Sequence, residues 1–279
     1  MPVALALSPH LDDAAFSCGG TLATLARSGW RVVMATLFTA TVADPQGFAL
    51  ACQLDKGVPA EADYMALRRA EDVEAARAVG IAAPVHLPFR EAPHRGYGSA
   101  AALFAAVLPD DGVDRDLAPA IAALIAETAP DLILAPQAVG GHVDHVQAVA
   151  AFRSLATASP TLWWRDYPYT VREASPREPL QALFAPLPEH AIALDADARG
   201  RKLAACAAYG TQIGFQFGGR AGLERRLAAE DRETFRLAGA LPAGFPELDT
   251  ESGGGHPAKA RVPSLERERG PAPSCDPSG

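Results

Sequence analysis

Val3-Ala-Leu-Ala-Leu-Ser-Pro-His-Leu-Asp-Asp13 is the stretch on which the reading of this chain turns. Val3 to Leu7 form a short continuous apolar run, the pattern of a strand covered on both faces of a parallel sheet. Pro9 biases Ser8 toward an extended conformation and carries the chain off the strand end. His10, Asp12 and Asp13 follow at once, at the mouth of an apolar helix expected over 15–28. A second stretch repeats the plan: Asp131-Leu-Ile-Leu-Ala-Pro136 reads as a buried strand, and Gly140-Gly-His-Val-Asp-His145 comes after it. In an open parallel sheet, ligands bind beyond the carboxyl ends of the strands. Both polar clusters are therefore expected at one end of one sheet, although they lie far apart in the chain.

Working outward, strand-like and helix-like segments alternate. Further strands are expected at 31–38, 84–89 and 161–164, with helices over 61–79, 116–129 and 143–157. Gly80 stands where a glycine would end the second helix. The expected fold is α/β: a Rossmann-like, mostly parallel sheet with helices on both faces. Beyond residue 165, a strand at 189–194, a helix over 196–209 and a charged helix over 221–237 are expected. From Leu241 onward Pro, Gly, Ser and charge dominate, a composition that buries too little apolar area to offset chain entropy. Residues 1–240 are thus read as one domain and 241–279 as a disordered tail, whose His256 and Cys275 carry no role.

With 279 residues, 49% of them hydrophobic, the chain can bury a large core, and its net charge of −8 without a basic block argues against a nucleic-acid partner. No apolar run reaches the roughly 18 residues of a membrane span. The first apolar run lacks a basic leader and passes directly into the first motif, unlike a secretory signal. Four scattered cysteines, Cys18, Cys52, Cys206 and Cys275, without CxxC spacing read as unpaired thiols of a cytoplasmic protein. Cys18, inside an apolar helix, is read as a buried structural thiol rather than a nucleophile.

The two polar clusters offer His, Asp and His for one divalent metal, with an Asp and a His to spare for proton transfer. Each cluster has a plainer reading alone: Asp12-Asp13 as helix-capping residues, and His142 with His145 as a polar helix entry. Their occurrence together at equivalent strand ends favours the metal site. A nucleotide-phosphate loop is excluded, because there is no GxGxxG and two carboxylates stand where phosphate would lie.

The two motifs, Ser8-Pro-His-Leu-Asp-Asp13 and His142-Val-Asp-His145, resemble those of the PIG-L/LmbE-like N-acetylglucosaminyl deacetylases, with Leu11 where proline is commoner. The resemblance covers roughly residues 3–215. It extends to Arg68-x-x-Glu71-x-x-x-Ala75 with Gly80, to Asp166-Tyr-Pro-Tyr169, and to Lys202 with Tyr209-x-Thr-Gln212. It implies that His10, Asp13 and His145 hold one metal, zinc or another divalent ion. It further implies that Asp12 is the general base, that His142 stabilises the oxyanion or donates a proton, and that Asp144 pairs with His142 and favours its charged form. Some relatives carry a Tyr two residues before His142, where this chain has Gly140, so oxyanion stabilisation is expected to rest on the metal and His142, or on a further donor that the sequence does not identify.

Arg68, Glu91, Trp164 and Tyr167 are candidate substrate contacts, with Trp163 and Tyr169 as further aromatics for a sugar-binding wall. The alternatives are a surface ion pair of Arg68 with Glu71 or Asp72, a solvated loop for Glu91, and core packing for at least one Trp. Substrate choice is expected to rest on loops 41–60, 90–113 and 210–245. The resemblance implies a zinc N-deacetylase acting on an amino sugar of a small soluble metabolite or natural product, such as an aminoglycoside or glycopeptide intermediate. The alternatives are an amidase acting on a thiol-cofactor conjugate and a non-catalytic sugar-binding protein.

Overall fold

Residues 1–172 and 174–246 are described by the computed structural model. Seven strands, β1 Val3–Ser8, β2 Arg31–Thr36, β3 Val85–His86, β4 Leu132–Pro136, β5 Thr161–Trp164, β6 Glu189–Ala193 and β7 Arg232–Ala238, form one sheet in the order β3-β2-β1-β4-β5-β7-β6. The first five run parallel, with Leu5 opposite Val33 and Ile133, while β7 pairs antiparallel with both β5 and β6. The order reverses between β1 and β4, which opens a crevice at their carboxyl ends. The helices are α1 Asp13–Arg27, α2 Gly47–Leu54, α3 Tyr64–Val79, α4 Ala100–Leu103, α5 Val113–Thr128 and α6 Val143–Arg153, then α7 Tyr169–Arg172, α8 Gln181–Phe184, α9 Ala196–Ala208, α10 Gly210–Phe217 and α11 Arg220–Leu227. A 3-10 turn covers Ala92–His94.

Side-chain alternation divides the core into two layers. Ala4, Ala6, Leu132, Leu134, Leu162 and Trp164 pack under α1, α3 and α9. Leu5, Leu7, Ile133, Ala135 and Trp163 face α5 and α6. Both faces of β1 and β4 are covered, as their apolar runs require.

One expected element is corrected. The charged stretch 221–237 is not one helix but α11 followed by β7. In β7, Glu233 and Phe235 are buried on the α1 side, and the charges of Arg232 and Arg236 concealed this period of two. Glu233 has a physical reason to be inside. Helix α1 kinks at Cys18, and the Glu233 carboxylate accepts from Gly20 N–H (3.0 Å), Thr21 N–H (2.7 Å) and Thr21 Oγ1 (2.6 Å). Lys202 Nζ balances its charge at 2.8 Å. Gly20 permits the approach, since a Cβ there would lie 2.6 Å from Leu194 Cδ1.

The packed chain also continues past the expected boundary at 240: Leu241 packs against the core, and Phe245 meets Trp30 and His190 edge-on. The rest of the expected tail, with His256 and Cys275, lies outside the described residues. Cys18, Cys52 and Cys206 are free thiols, Cys18 fully buried as expected. Among the described residues no helix is long and apolar enough to cross a membrane.

Candidate active site

Pro9 and Ser8 turn the chain off β1. Ser8 Oγ donates to His10 O (2.7 Å) and accepts from Ala14 N–H (3.0 Å), closing the turn into α1. Across the crevice, Gly140 and Gly141 adopt positive φ and lead into α6, where His142 is the N-cap and His145 lies one turn on. The strand reversal thus brings the two motifs together. His10 Nδ1, Asp13 Oδ2 and His145 Nε2 form a triangle with edges of 3.3, 3.1 and 3.2 Å.

Two carboxylates orient this triangle. His10 Nε2 donates to Asp144 Oδ2 (2.9 Å), and His145 Nδ1 donates to Asp166 Oδ1 (2.7 Å). In these tautomers the nitrogen lone pairs of both rings point toward Asp13, so three acceptors converge and call for a positive charge between them. Ligand atoms about 2.0–2.1 Å from a tetrahedral zinc lie about 3.3 Å apart, which matches the observed edges. The residues present therefore fit a metal with His, Asp and His donors. His10 and His145 concentrate positive charge even as protonated rings. Burial alone would lower the pKa of His145, but Asp13 and Asp166 outweigh it and push it up to about 9.

His142 completes a group of three imidazoles whose ligand atoms lie within 4.8 Å of one another. The triangle containing Asp13 is tighter and carries anionic charge, whereas His142 Nδ1 is occupied by Asp144 N–H at 3.2 Å. That bond leaves the proton on Nε2. Burial, then the positive charge on His10, pushes the His142 pKa down to about 3.

The expected pairing of Asp144 with His142 is therefore corrected: Asp144 Oδ2 stands 3.9 Å from His142 Nδ1 and holds His10 instead. Positions two apart at a helix start face different sides. The expected imidazolium at His142 is also not what this geometry favours. In the sequence Asp166 stands only within the supporting motif Asp166-Tyr-Pro-Tyr169. Its place just past β5, at the same sheet end, is the signal that could have marked it.

Asp12 makes no helix-capping hydrogen bond, and its carboxylate faces Arg68 Nη2 at 3.9 Å. Burial, then the neighbouring Asp13 charge, pushes its pKa up to about 7. Arg68 is buried, ion-paired with Glu91 and bonded to Leu11 O (3.3 Å), rather than pairing along its helix. Glu71 instead binds Thr211, and Asp72 binds Tyr209 Oη (2.6 Å) and His86 (2.9 Å).

A cavity of about 270 Å³ opens from His10, Asp12, Asp13 and His142, with Arg68 and Glu91 on one wall and Tyr64, Phe104, Tyr169 and Phe215 on others. All three expected segments contribute, though not all as loops: Phe48 on α2 with Lys56 just beyond it, then Glu91 and Phe104, then Gln212 and Phe215 on α10. Trp164 and Tyr167 do not; both are buried in the core beneath α1 and α9. Of the expected aromatics, Tyr169 lines the cavity. A Cβ at Gly140 would lie 2.5 Å from its ring, so the glycine makes room for it. A larger surface cavity of about 580 Å³, between Phe152, Trp163 and Gly239, lies away from this cluster.

Comparison with known proteins agrees with this geometry. A curated relative, the 2'-N-acetylparomamine deacetylase of Streptomyces fradiae, is 35% identical over 167 residues, 59% of this chain. The match spans 57% of that relative's own length. The structure of Dbv21, the A40926 pseudoaglycone deacetylase, is similar at 28% identity and a TM-score of 0.68, covering 84% of this chain and 96% of that one. A zinc-inhibited form of teicoplanin deacetylase Orf2 is similar at 25% identity and a TM-score of 0.67, covering 85% and 98%. Residues 5–156, more than half of the chain and spanning both metal motifs, match the family described as PIG-L, GlcNAc-PI de-N-acetylase. The convergent triangle, the fold around it and this match agree: the chain belongs to the PIG-L family.

Proposed function

We propose that this protein is a zinc-dependent N-deacetylase that removes an acetyl or other acyl group from the nitrogen of an amino sugar. The substrate is a small soluble glycoside of the kind made in antibiotic pathways, handled in the cytoplasm. The observation that carries this reading is the triangle of His10, Asp13 and His145 with the uncapped carboxylate of Asp12 beside it, opening into a cavity of sugar size. Relatives named as deacetylases of 2'-N-acetylparomamine, of A40926 pseudoaglycone and of teicoplanin support the substrate class. A base next to a metal site is superfluous for a protein that only binds sugar.

One zinc per chain would be held by His10 Nδ1, Asp13 Oδ2 and His145 Nε2. When bound, it supplies a Lewis acid that polarises the acyl carbonyl and acidifies a water. Asp12 takes the proton of the attacking water and returns it to the departing amine, and its raised pKa suits both transfers. His142, neutral and with its proton on Nε2, donates to the developing oxyanion. Tyr169 supplies a second donor on the wall that Gly140 leaves open; burial raises its phenol pKa, so it keeps its proton. Arg68 and Glu91 hold sugar hydroxyls, while Tyr64 and Phe104 present ring faces to the pyranose.

The test is amine release, detected by fluorescamine, from N-acetylglucosaminides, N-acetylparomamine and an N-acylated glycopeptide, using metal-stripped and zinc-restored protein. Zinc-restored release from at least one is the expected result. No amine from any of them, with zinc bound, would contradict the deacetylase reading.

A further inference from the structure

Arg95 belongs to neither metal motif, yet its guanidinium is two hydrogen bonds from the metal triangle, through Asp144 to His10. It follows the 3-10 turn Ala92–His94, and its side chain is only 12% exposed. Nη2 lies 2.7 Å from Asp144 Oδ1 and 3.0 Å from Asp111 Oδ2, and Nε lies 3.1 Å from Asp111 Oδ1. Nη1 donates to Arg90 O (2.5 Å), and the plane sits over the Phe38 ring at 5.0 Å. Asp111 is itself braced by Tyr97 Oη at 2.8 Å. The guanidinium is thus fixed on every edge.

Asp144 is fully buried. Its Oδ2 accepts from His10 Nε2 (2.9 Å) and Ala92 N–H (3.0 Å), so Arg95 alone among these contacts brings a permanent charge to it. A buried carboxylate without a compensating cation is strongly destabilised. We propose that Arg95 is a positioning residue for the metal centre: it anchors Asp144, which in turn holds His10 with Nδ1 turned toward Asp13 and His145. Arg95 touches neither metal nor substrate. Its effect passes through the relay Asp111–Arg95–Asp144–His10. The inference rests on the metal assignment made under the proposed function.

The experiment measures zinc affinity of the metal-stripped, folded protein by competition with a chromophoric chelator. Arg95→Gln should weaken zinc binding by up to about 10- to 100-fold, the usual cost of losing the partner of a metal-ligating histidine, here through a loosened Asp144. Arg95→Lys, which restores a cation opposite Asp144, should recover most of that loss. A double variant, Arg95→Gln with Asp144→Asn, removes both buried charges. Its zinc affinity should equal that of Asp144→Asn alone, because the effect runs through Asp144. Arg95→Gln binding zinc within twofold of the wild type would overturn the proposal, as would a double variant clearly weaker than Asp144→Asn. Should Arg95→Gln not fold, the double variant decides alone. A wild-type chain that binds no zinc would overturn the metal assignment itself, a result distinct from either.

Discussion

Asp166 Oδ1 lies 2.7 Å from His145 Nδ1, and the other oxygen of the same carboxylate accepts from Val139 N–H at 2.8 Å. Asp166 therefore ties the end of β5 to the loop after β4 and fixes which nitrogen His145 turns into the site. Asp166→Ala should leave the fold intact and weaken zinc binding about 10- to 100-fold. A competition titration against a chelator checks this, and unchanged affinity would remove Asp166 from the site.

Donors to the oxyanion should be separable from ligands. His142→Ala is expected to retain zinc and lose about 10²–10³-fold in kcat, the usual cost of one such donor. Tyr169→Phe should lose less, and in kcat more than KM. Asp144→Asn should act on zinc affinity, since Asp144 holds His10 and not His142. An Asp144→Asn enzyme with normal zinc affinity and reduced kcat would restore the pairing with His142.

The metal-free protein should lose stability as pH rises from about 6.5 to about 9. The folded-state pKa of His145 is raised to about 9, so its stabilising contribution is complete below the unfolded value of 6.5 and is lost on passing the folded one. Zinc requires the neutral ring, so bound zinc should abolish this decline. Melting temperatures of both forms across that range test it. A flat metal-free profile would show that His145 is not charged in the folded chain.

Much of this site was legible because it lies next to the most legible strands. β1 and β4 are continuous apolar runs, and residues just past their ends had to meet wherever the sheet order reverses. Orientation was not legible. Trp164 lies on a strand whose alternation sends it beneath α1, and its neighbour Tyr167 follows it into the core, so neither aromatic reaches the sugar cavity. Asp144 belongs to a motif but points to a ring 134 positions away. Glu233 hid a strand because its partners, the kink of α1 and Lys202, are set by tertiary packing alone.

Three stability measurements follow, two from the same packing and one from composition. Trp164→Ala should cost about 3–5 kcal/mol, the range for removing a buried aromatic. Truncation after Leu248 should leave melting temperature and activity nearly unchanged on compositional grounds, whereas Phe245→Ala should lower the melting temperature. Equal melting temperatures for Phe245→Ala and wild type would return the domain boundary to residue 240.

Base and ligand should also part company. Asp12→Asn is expected to keep zinc and lose about 10²–10⁴-fold in kcat, the range for a general base. The acid limb of the wild-type profile should lie at or below the metal-free value of about 7, because a bound cation favours the ionised carboxylate. An Asp12→Asn enzyme of normal kcat would place the base elsewhere.

The most direct measurement is an anomalous difference map, collected at the zinc edge, from crystals of the zinc-restored protein. One peak is expected about 2.0–2.2 Å from His10 Nδ1, Asp13 Oδ2 and His145 Nε2, with Asp12 and His142 beside it but not bonded to it. A peak bonded to His142 with Asp13 left aside would contradict the ligand set and, with it, the roles given to both residues.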